Sequence, residues 1–133
     1  MGAAHFILYV RDQVASRELY RAALGQAPTL DVPGMTEFAL GGAVLGLMPE
    51  AGIKRLLGDG IPDPAEARGI PRAELYLLVD DPAACHRRAV AAGARELSPL
   101  SVRSWGHEAA YCLDLDGHIL AFERLALRQP PIG

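Results

Sequence analysis

Two stretches of the chain, residues 5–10 and residues 74–79, share one pattern of apolar and polar positions at a constant offset of 69 residues (74 minus 5 and 79 minus 10). Both are rich in β-branched and aromatic residues, which predicts strands whose successive side chains point to opposite faces. One face of each is wholly apolar, and the other begins with a polar residue, His5 or Glu74. We expect the apolar face to lie under a helix and the mixed face to line a surface that a ligand can reach.

A helical pattern follows each strand, because apolar residues recur there at intervals of three and four. Asp12 and Asp81 suit the starts of the two helices, and Gly25 and Gly93 suit their ends. The apolar stripes are Ala15, Leu19, Ala22 and Ala23 in the first helix and Cys85, Ala89 and Ala92 in the second.

Three short strand candidates follow each helix, separated by glycine-containing turns. They are residues 29–32, 35–40 and 43–48 in the first half, and residues 95–97, 108–113 and 118–123 in the second. The offset between the halves grows from 68 (93 minus 25) to 75 (117 minus 42), so residues 97–107 contain about seven extra residues.

The chain therefore predicts an α+β fold of duplicated βαβββ modules. We expect two four-stranded mixed sheets around a cleft, each backed by a helix, with the mixed faces lining the cleft. One domain spans residues 1–133, with modules at 1–49 and 73–125, a linker at 50–72 and an extended tail at 126–133. A linker of this length in a small domain is expected to be both a module boundary and functional.

The composition narrows the function classes. Half of the 133 residues are apolar and 22% are charged, as in a typical soluble domain. The net charge of −3, without a basic cluster, argues against nucleic acid as a partner. No apolar run is long enough to span a membrane, and no secretory segment opens the chain, which predicts a cytoplasmic protein. Cys85 and Cys112 are expected to be buried, reduced thiols.

Three short motifs occur in a characteristic order along this duplicated pattern. They are His-x-x-x-x-Val-x-Asp in the first strand, Tyr20 with Leu24-Gly25 at the first helix end, and Asp-x-Asp-Gly before the last strand. The chain thereby resembles the vicinal-oxygen-chelate superfamily, which includes glyoxalase I, bleomycin-resistance and fosfomycin-resistance proteins and extradiol dioxygenases. The resemblance covers about residues 3–125 and implies a fold rather than one chemistry.

In metal-dependent members of that superfamily, four strand positions hold the ion, and here they correspond to His5, Gly46, Glu74 and Ala121. Glycine and alanine supply no ligand, and two protein donors hold a divalent ion weakly. The resemblance thus favours a protein without a metal cofactor. The alternative is one divalent ion, such as Ni, Zn, Mn or Fe, held by His5, Glu74 and Glu123.

The predicted ligand-binding cleft combines apolar, aromatic and acidic side chains from the mixed faces, as small-molecule pockets usually do. His5 and Glu74 occupy equivalent positions of the repeat, so we expect them to lie close together, either as an ion pair or as ligand contacts. Trp105 is either a hydrophobic plug or a stacking surface for a planar ligand. The cleft residues are His5, Ile7, Tyr9, Met48, Glu74, Tyr76, Trp105 and Glu123.

Three functions follow from the resemblance. The first is a metal-independent protein of the bleomycin-resistance type, which sequesters a small molecule that is cationic or donates hydrogen bonds to Glu74 and Glu123. The second is a divalent-metal lyase, isomerase or dioxygenase, and the third is a regulatory or interaction subunit that kept the fold alone. Whether the chain is an enzyme stays open, and no catalytic residue is assigned. The resemblance also implies a homodimer. The long linker would permit the two chains of this dimer to exchange modules.

Overall fold

The elements of the first half follow the predicted order and end close to the predicted positions. The computed structural model describes residues 2–125, so the predicted tail at 126–133 lies outside the described residues. The first half consists of β1 (Ala4–Val10), α1 (Gln13–Leu24), β2 (Leu30–Val32), β3 (Met35–Ala39) and β4 (Ala43–Pro49).

The second half repeats the order after a linker that contains a helix, α2 (Glu50–Leu57), and two short 3-10 turns. It consists of β5 (Glu74–Leu78), α3 (Pro82–Ala91), β6 (Arg95–Val102), β7 (His107–Leu113) and β8 (Ile119–Leu125).

The strands form two four-stranded sheets, in the orders β1-β4-β3-β2 and β5-β8-β7-β6. In each sheet the first and last strands of the module pair in parallel and the remaining neighbours are antiparallel. Helix α1 contacts the first sheet and α3 contacts the second. The predicted α+β class with duplicated βαβββ modules and two mixed sheets is confirmed.

Local sequence signals account for the helix boundaries. The Asp12 carboxylate accepts a hydrogen bond from the Ala15 backbone N–H (3.0 Å), and Asp81 does the same for Ala84 (3.1 Å). Gly25 adopts the left-handed conformation (φ 66°) that ends α1. These contacts satisfy backbone groups that a helix end leaves without partners.

Strand β6 is longer than predicted, since it covers Arg95–Val102 rather than residues 95–97. Its pairing with β7 shifts register between Glu96 and Ser98 and again between Ser98 and Ser101. Such irregularities break the alternation of side chains by which a strand is recognised in a sequence. The extra residues of the second half therefore extend β6 and the turn that follows it.

The two halves meet through α1 and α3 and through a buried polar cluster at the Asp-x-Asp-Gly turn. Tyr20 Oη donates to Asp114 Oδ2 (2.6 Å), and the Arg11 backbone N–H donates to Asp116 Oδ1 (2.9 Å). The backbone N–H groups of Asp116 and His118 both donate to Asp114 Oδ1 (2.9 Å each). A motif of the second half thus holds residues of the first.

Replacing Tyr20 with phenylalanine is expected to cost about 1.5–3 kcal/mol of unfolding free energy at pH 7, because Asp114 loses a buried donor. Burial, and then the neighbouring Asp114 carboxylate, raises the pKa of Tyr20 well above its usual value. The native tyrosine's contribution is complete below about pH 10 and is lost as the pH rises toward the higher pKa of the folded state. Urea unfolding should show a smaller difference in unfolding free energy between the native protein and Tyr20→Phe above pH 10 than at pH 7. An unchanged difference would contradict this role.

Both cysteines, Cys85 and Cys112, are buried free thiols, as expected. No helix in residues 2–125 combines the length and the apolar character that crossing a bilayer requires. The cytoplasmic location stays a prediction.

Candidate functional site

The mixed faces of both sheets are accessible to solvent in the single chain. On β1, His5 and Ile7 are exposed and Tyr9 is half-buried; on β5, Glu74 and Tyr76 are exposed. Among residues 2–125, no hydrogen bond or ion pair joins the mixed face of one sheet to that of the other. The mixed face of each half therefore carries its own set of polar contacts.

In the first half, His5 pairs with a residue other than the expected one. His5 Nδ1 lies 3.2 Å from Glu37 Oε2, on β3, and makes no ion pair with Glu74 among the described residues. The register makes this contact diagonal on one face, since His5 lies opposite Val44 whereas Glu37 lies opposite Gly46, two residues further along β4. Glu37 is therefore a further site candidate on this face.

The position of the missing ligand at Gly46 is filled by neighbouring side chains. A Cβ atom at Gly46 would lie 3.1 Å from Ile7 Cγ1 and 3.1 Å from Met35 Sδ. These contacts are tighter than ordinary van der Waals packing, so a side chain at this position would require Ile7 and Met35 to shift by a few tenths of an ångström. Met48, also predicted to line the cleft, is half-buried on the same strand.

In the second half, three predicted cleft residues, Tyr76, Trp105 and Glu123, lie together with His107. Trp105 Nε1 donates to Tyr76 Oη (2.7 Å) and makes a longer contact with Glu123 Oε2 (3.4 Å). The other oxygen of Glu123 contacts His107 Nδ1. We call Tyr76, Trp105, His107 and Glu123 the aromatic–carboxylate cluster.

The indole of Trp105 crosses the mixed face of the second sheet. It belongs to the turn between β6 and β7, whereas Tyr76 is on β5, and β8 lies between them in the sheet. Ala121 on β8 lies opposite Tyr76, and Ala109 on β7 lies opposite Glu123; both alanines are fully buried. A small side chain thus occupies Ala121, where the resemblance places a ligand in metal-dependent relatives.

Arg103 fixes the turn that presents Trp105. Its guanidinium donates to the Ala109 carbonyl (2.7 Å), the Pro99 carbonyl (3.0 Å) and Ser98 Oγ (2.9 Å). Gly106 closes the turn with a positive φ of 89°, and its N–H donates to the Arg103 carbonyl (3.0 Å). This turn is thus held by both side-chain and backbone bonds, which fix the main chain that carries Trp105.

Exposure and charge differ sharply within the aromatic–carboxylate cluster. The side chains of Trp105 and Tyr76 are 52% and 36% exposed, whereas Glu123 is 1% exposed beneath them. Burial raises the pKa of Glu123. The cluster thus offers aromatic surface to solvent, with an acidic group below it that a bound cation would stabilise in its charged form.

The three donors of the predicted metal alternative do not form a chelating group within one chain. Among residues 2–125, the His, Cys, Asp and Glu set with ligand atoms close enough to share an ion is Asp114, Asp116 and His118. His5, Glu74 and Glu123 are not such a set.

The side-chain oxygen and nitrogen atoms of that Asp–Asp–His set, which could ligate a metal, already take part in hydrogen bonds. Asp114 Oδ2 accepts from Tyr20 and lies 3.0 Å from His118 Nδ1, and its Oδ1 accepts two backbone N–H groups. Asp116 accepts from the Arg11 backbone and from Ser16 Oγ. These residues therefore join the two halves.

A cavity of about 580 Å³ lies beside the mixed face of β1, where the linker passes over it. Ile7 and Tyr9, both predicted to contact a ligand, line one wall, and Pro62, Pro64 and Arg72 of the linker line the other. The linker thus contributes to a concave surface.

The comparisons with known proteins agree with this architecture. A sequence model described as the Glyoxalase/Bleomycin resistance protein/Dioxygenase superfamily matches residues 2–122. No curated protein matches the chain.

Several solved structures are similar to the chain over nearly its whole length. A glyoxalase-related enzyme from Fulvimarina pelagi is 26% identical, with a TM-score of 0.79, and the match covers 100% of this chain and 93% of that one. A glyoxalase/bleomycin resistance protein/dioxygenase from Nocardioides is 20% identical, with a TM-score of 0.73 over 100% and 90% of the two chains. A family enzyme from Burkholderia phytofirmans PsJN is 16% identical, with a TM-score of 0.74 over 94% and 99%. The motifs, the repeated fold and the family match agree, and the chain belongs to the glyoxalase/bleomycin resistance protein/dioxygenase superfamily.

Proposed function

We propose that this protein binds a planar, cationic small molecule on the aromatic–carboxylate cluster and sequesters it without a metal ion. One observation carries the proposal: a hydrogen-bonded, solvent-accessible Trp105–Tyr76 pair lies above the buried carboxylate of Glu123. Members of this superfamily generally bind small molecules and often form dimers.

The chemistry of the cluster suits a flat cation. The indole and phenol rings provide stacking surface, and their π systems attract positive charge by about 0.5–2 kcal/mol per contact. The 3.4 Å contact between Trp105 and Glu123 is long for a hydrogen bond. A ligand N–H group can replace it at little cost, which gives the site a polar anchor beneath the stacked ring.

Sequestration is favoured over turnover because the chain places Gly46 and Ala121 where metal-dependent relatives carry ligands. Ile7 and Met35 pack tightly at the Gly46 position, and Ala121 is fully buried on the strand beside Tyr76. Binding by stacking and charge needs no ligand at either position.

The proposal can be tested with two probes of one shape, 10-methylacridinium as the planar cation and acridine as its neutral counterpart above pH 7. Trp105 is the single tryptophan of the chain, so its fluorescence reports directly on the proposed site. With EDTA present, the cation should quench this fluorescence saturably and bind about tenfold more tightly than acridine, since charge adds to stacking. Equal affinity for both probes, or unsaturable quenching by both, would contradict the proposal.

We also propose that the exposed mixed faces pair in a homodimer, with or without exchange of modules across the linker. Leu78, on the mixed face of β5, is 72% exposed, and Ile7 and Leu125 are exposed apolar residues of the two mixed faces. Apolar surface of this kind is commonly covered by a partner.

Sedimentation velocity should therefore show a dimer that Leu78→Glu converts to a folded monomer, because a carboxylate cannot be buried in an apolar interface without a partner. Leu56→Glu is the matched control, since Leu56 is 71% exposed on α2, outside both mixed faces. A native protein that sediments as a monomer, or equal dissociation of both variants, would contradict the interface.

The second candidate is a divalent-metal lyase, isomerase or dioxygenase, and a specific observation favours it. Each mixed face presents one histidine–carboxylate pair, His5 with Glu37 and His107 with Glu123. When two chains face each other, such pairs can supply four donors of the types that Zn, Ni, Mn and Fe accept. One equivalent of tightly held metal in protein purified without chelators would replace the first proposal with this one.

A further inference from the structure

A second, smaller cavity of about 270 Å³ lies where the linker crosses the junction of the two halves. Three arginines from separate parts of the chain line it: Arg11 at the end of β1, and Arg68 and Arg72 in the linker. The turn before β8 contributes Asp116, and α2 contributes Glu50. None of these residues belongs to the aromatic–carboxylate cluster.

The three arginines of this cavity form no salt bridges among the described residues. None of the three guanidinium groups has a carboxylate oxygen within 4.0 Å among residues 2–125. Asp116 is held instead by the Arg11 backbone N–H (2.9 Å) and by Ser16 Oγ (3.4 Å). Counting Arg11, Arg68 and Arg72 against Glu50 and Asp116 leaves a net charge of +1 at the cavity. The mutual repulsion of the guanidinium groups falls when an anion lies between them.

The backbone holds Arg68 in place at the cavity. Among the described residues it is the one non-glycine residue with a positive φ (50°), a conformation that glycine or asparagine adopts more readily. The Ile70 N–H donates to the Ala67 carbonyl (3.0 Å) and closes the turn around it. This conformation is uncommon for arginine, and it fixes the main chain from which the Arg68 side chain reaches the cavity.

The segment is also packed tightly against the second half. A Cβ atom on Gly117 would lie 2.1 Å from the Gly69 carbonyl oxygen, so the two backbones approach as closely as glycine permits. Arg72 is fixed by a contact of 3.1 Å between its Nη2 and His118 Nε2. Because a guanidinium can only donate, His118 Nε2 accepts and its Nδ1 donates to Asp114.

We propose that this cavity binds a small, multiply charged oxyanion, either a phosphate group or a pair of carboxylates. The planar fork of arginine matches the oxygens of both groups, and three arginines on a rigid frame are suited to hold them. The cavity has room for the anion and a short carbon skeleton. The bound anion would join the linker to both halves and so stabilise the junction.

The test uses inorganic phosphate and malonate as probes, titrated into the full-length protein by isothermal titration calorimetry at constant ionic strength in sodium chloride. Saturable binding of either probe is expected, and the tighter probe identifies the preferred group. Arg68→Asn, which suits the positive φ, and Arg11→Gln should each weaken binding about tenfold or more, the value of a charge-assisted hydrogen bond. Arg68→Lys should weaken binding too, because it keeps the charge but loses the fork.

Arg87→Gln is the matched control, because Arg87 is exposed on α3 and does not line the cavity. It should bind both probes like the native protein. Circular dichroism melts in probe-free buffer show whether each variant is folded. Absence of saturable binding, or equal weakening by Arg87→Gln and Arg68→Asn, would overturn the proposal; either result would leave the aromatic–carboxylate cluster untouched.

Discussion

Replacing Asp114 with alanine should lower the unfolding free energy by about 3–5 kcal/mol, the cost of breaking a buried, hydrogen-bonded charged group. The substitution removes the acceptor of Tyr20 Oη, of His118 Nδ1 and of the Asp116 and His118 backbone N–H groups. All of these donors belong to buried residues, so water cannot replace the carboxylate without rearrangement. Urea unfolding at pH 7 measures the effect.

Asp80→Ala is the control for this substitution, since Asp80 is exposed and its carboxylate has no partner among the described residues. It should change stability by at most about 0.5 kcal/mol, as is typical of surface positions. A loss below about 1 kcal/mol for Asp114→Ala would contradict the buried role given to this group.

The same residue predicts how stability depends on acid. Burial alone would raise the pKa of Asp114, but the hydrogen bonds from His118 and Tyr20 outweigh it and lower the pKa. The contribution of Asp114 is therefore present above about pH 4 and is lost as the pH falls through the lower pKa of the folded state. Native protein and Asp114→Ala should converge in stability over that range.

Glu123→Gln should weaken binding of 10-methylacridinium by about 10- to 100-fold, because the charge beneath the aromatic pair is lost while the shape is kept. Binding of neutral acridine should change little. Glu18→Gln removes a carboxylate from the exposed side of α1 and should leave both affinities unchanged. If Glu123→Gln binds the cation as tightly as the native protein, the ligand does not use this carboxylate.

The affinity for the cation should also fall in acid. Burial raises the pKa of Glu123. Its carboxylate therefore loses its charge at a higher pH than an ordinary glutamate, whose pKa is about 4.3. Fluorescence titrations between pH 4 and pH 8 should therefore show weaker binding as the pH drops, and Glu123→Gln should show no such dependence.

Much of the fold could be predicted because local signals and the repeat agree. Asp12, Asp81 and Gly25 cap helices where the pattern indicated, and the first strands of the two modules, β1 and β5, occupy equivalent places in their sheets. Strand β6 could not be bounded, because its register shifts hide the alternation on which strand prediction depends.

The site was predicted as a set of residues but not as contacts. Tyr76, Trp105 and Glu123 were expected to line one cleft, but their mutual contacts depend on a turn held by Arg103, whose bonds reach positions from 98 to 109. His5 was expected near Glu74 by symmetry, whereas the strand order brings it to Glu37. Long-range pairing of this kind is set by register, which a single sequence does not reveal.

Residue types alone also misjudge buried polar groups. His86, next to Arg87 and Arg88, would be assigned to solvent, but the structure buries it and places its Nε2 2.8 Å from Glu96. Asp114, Asp116 and His118 have the composition of a metal site, yet their atoms are occupied by the junction of the halves. Only the hydrogen-bond partners distinguish these roles.

The most direct test of the central claim is a ¹H–¹⁵N NMR titration that follows the indole N–H of Trp105. As the chain has one tryptophan, the spectrum has a single indole signal from the centre of the proposed site. With EDTA present, 10-methylacridinium should move this signal saturably, and Glu123→Gln should weaken the response. An indole signal that stays in place while the probe binds elsewhere, or that moves only after a divalent metal is added, would contradict the account.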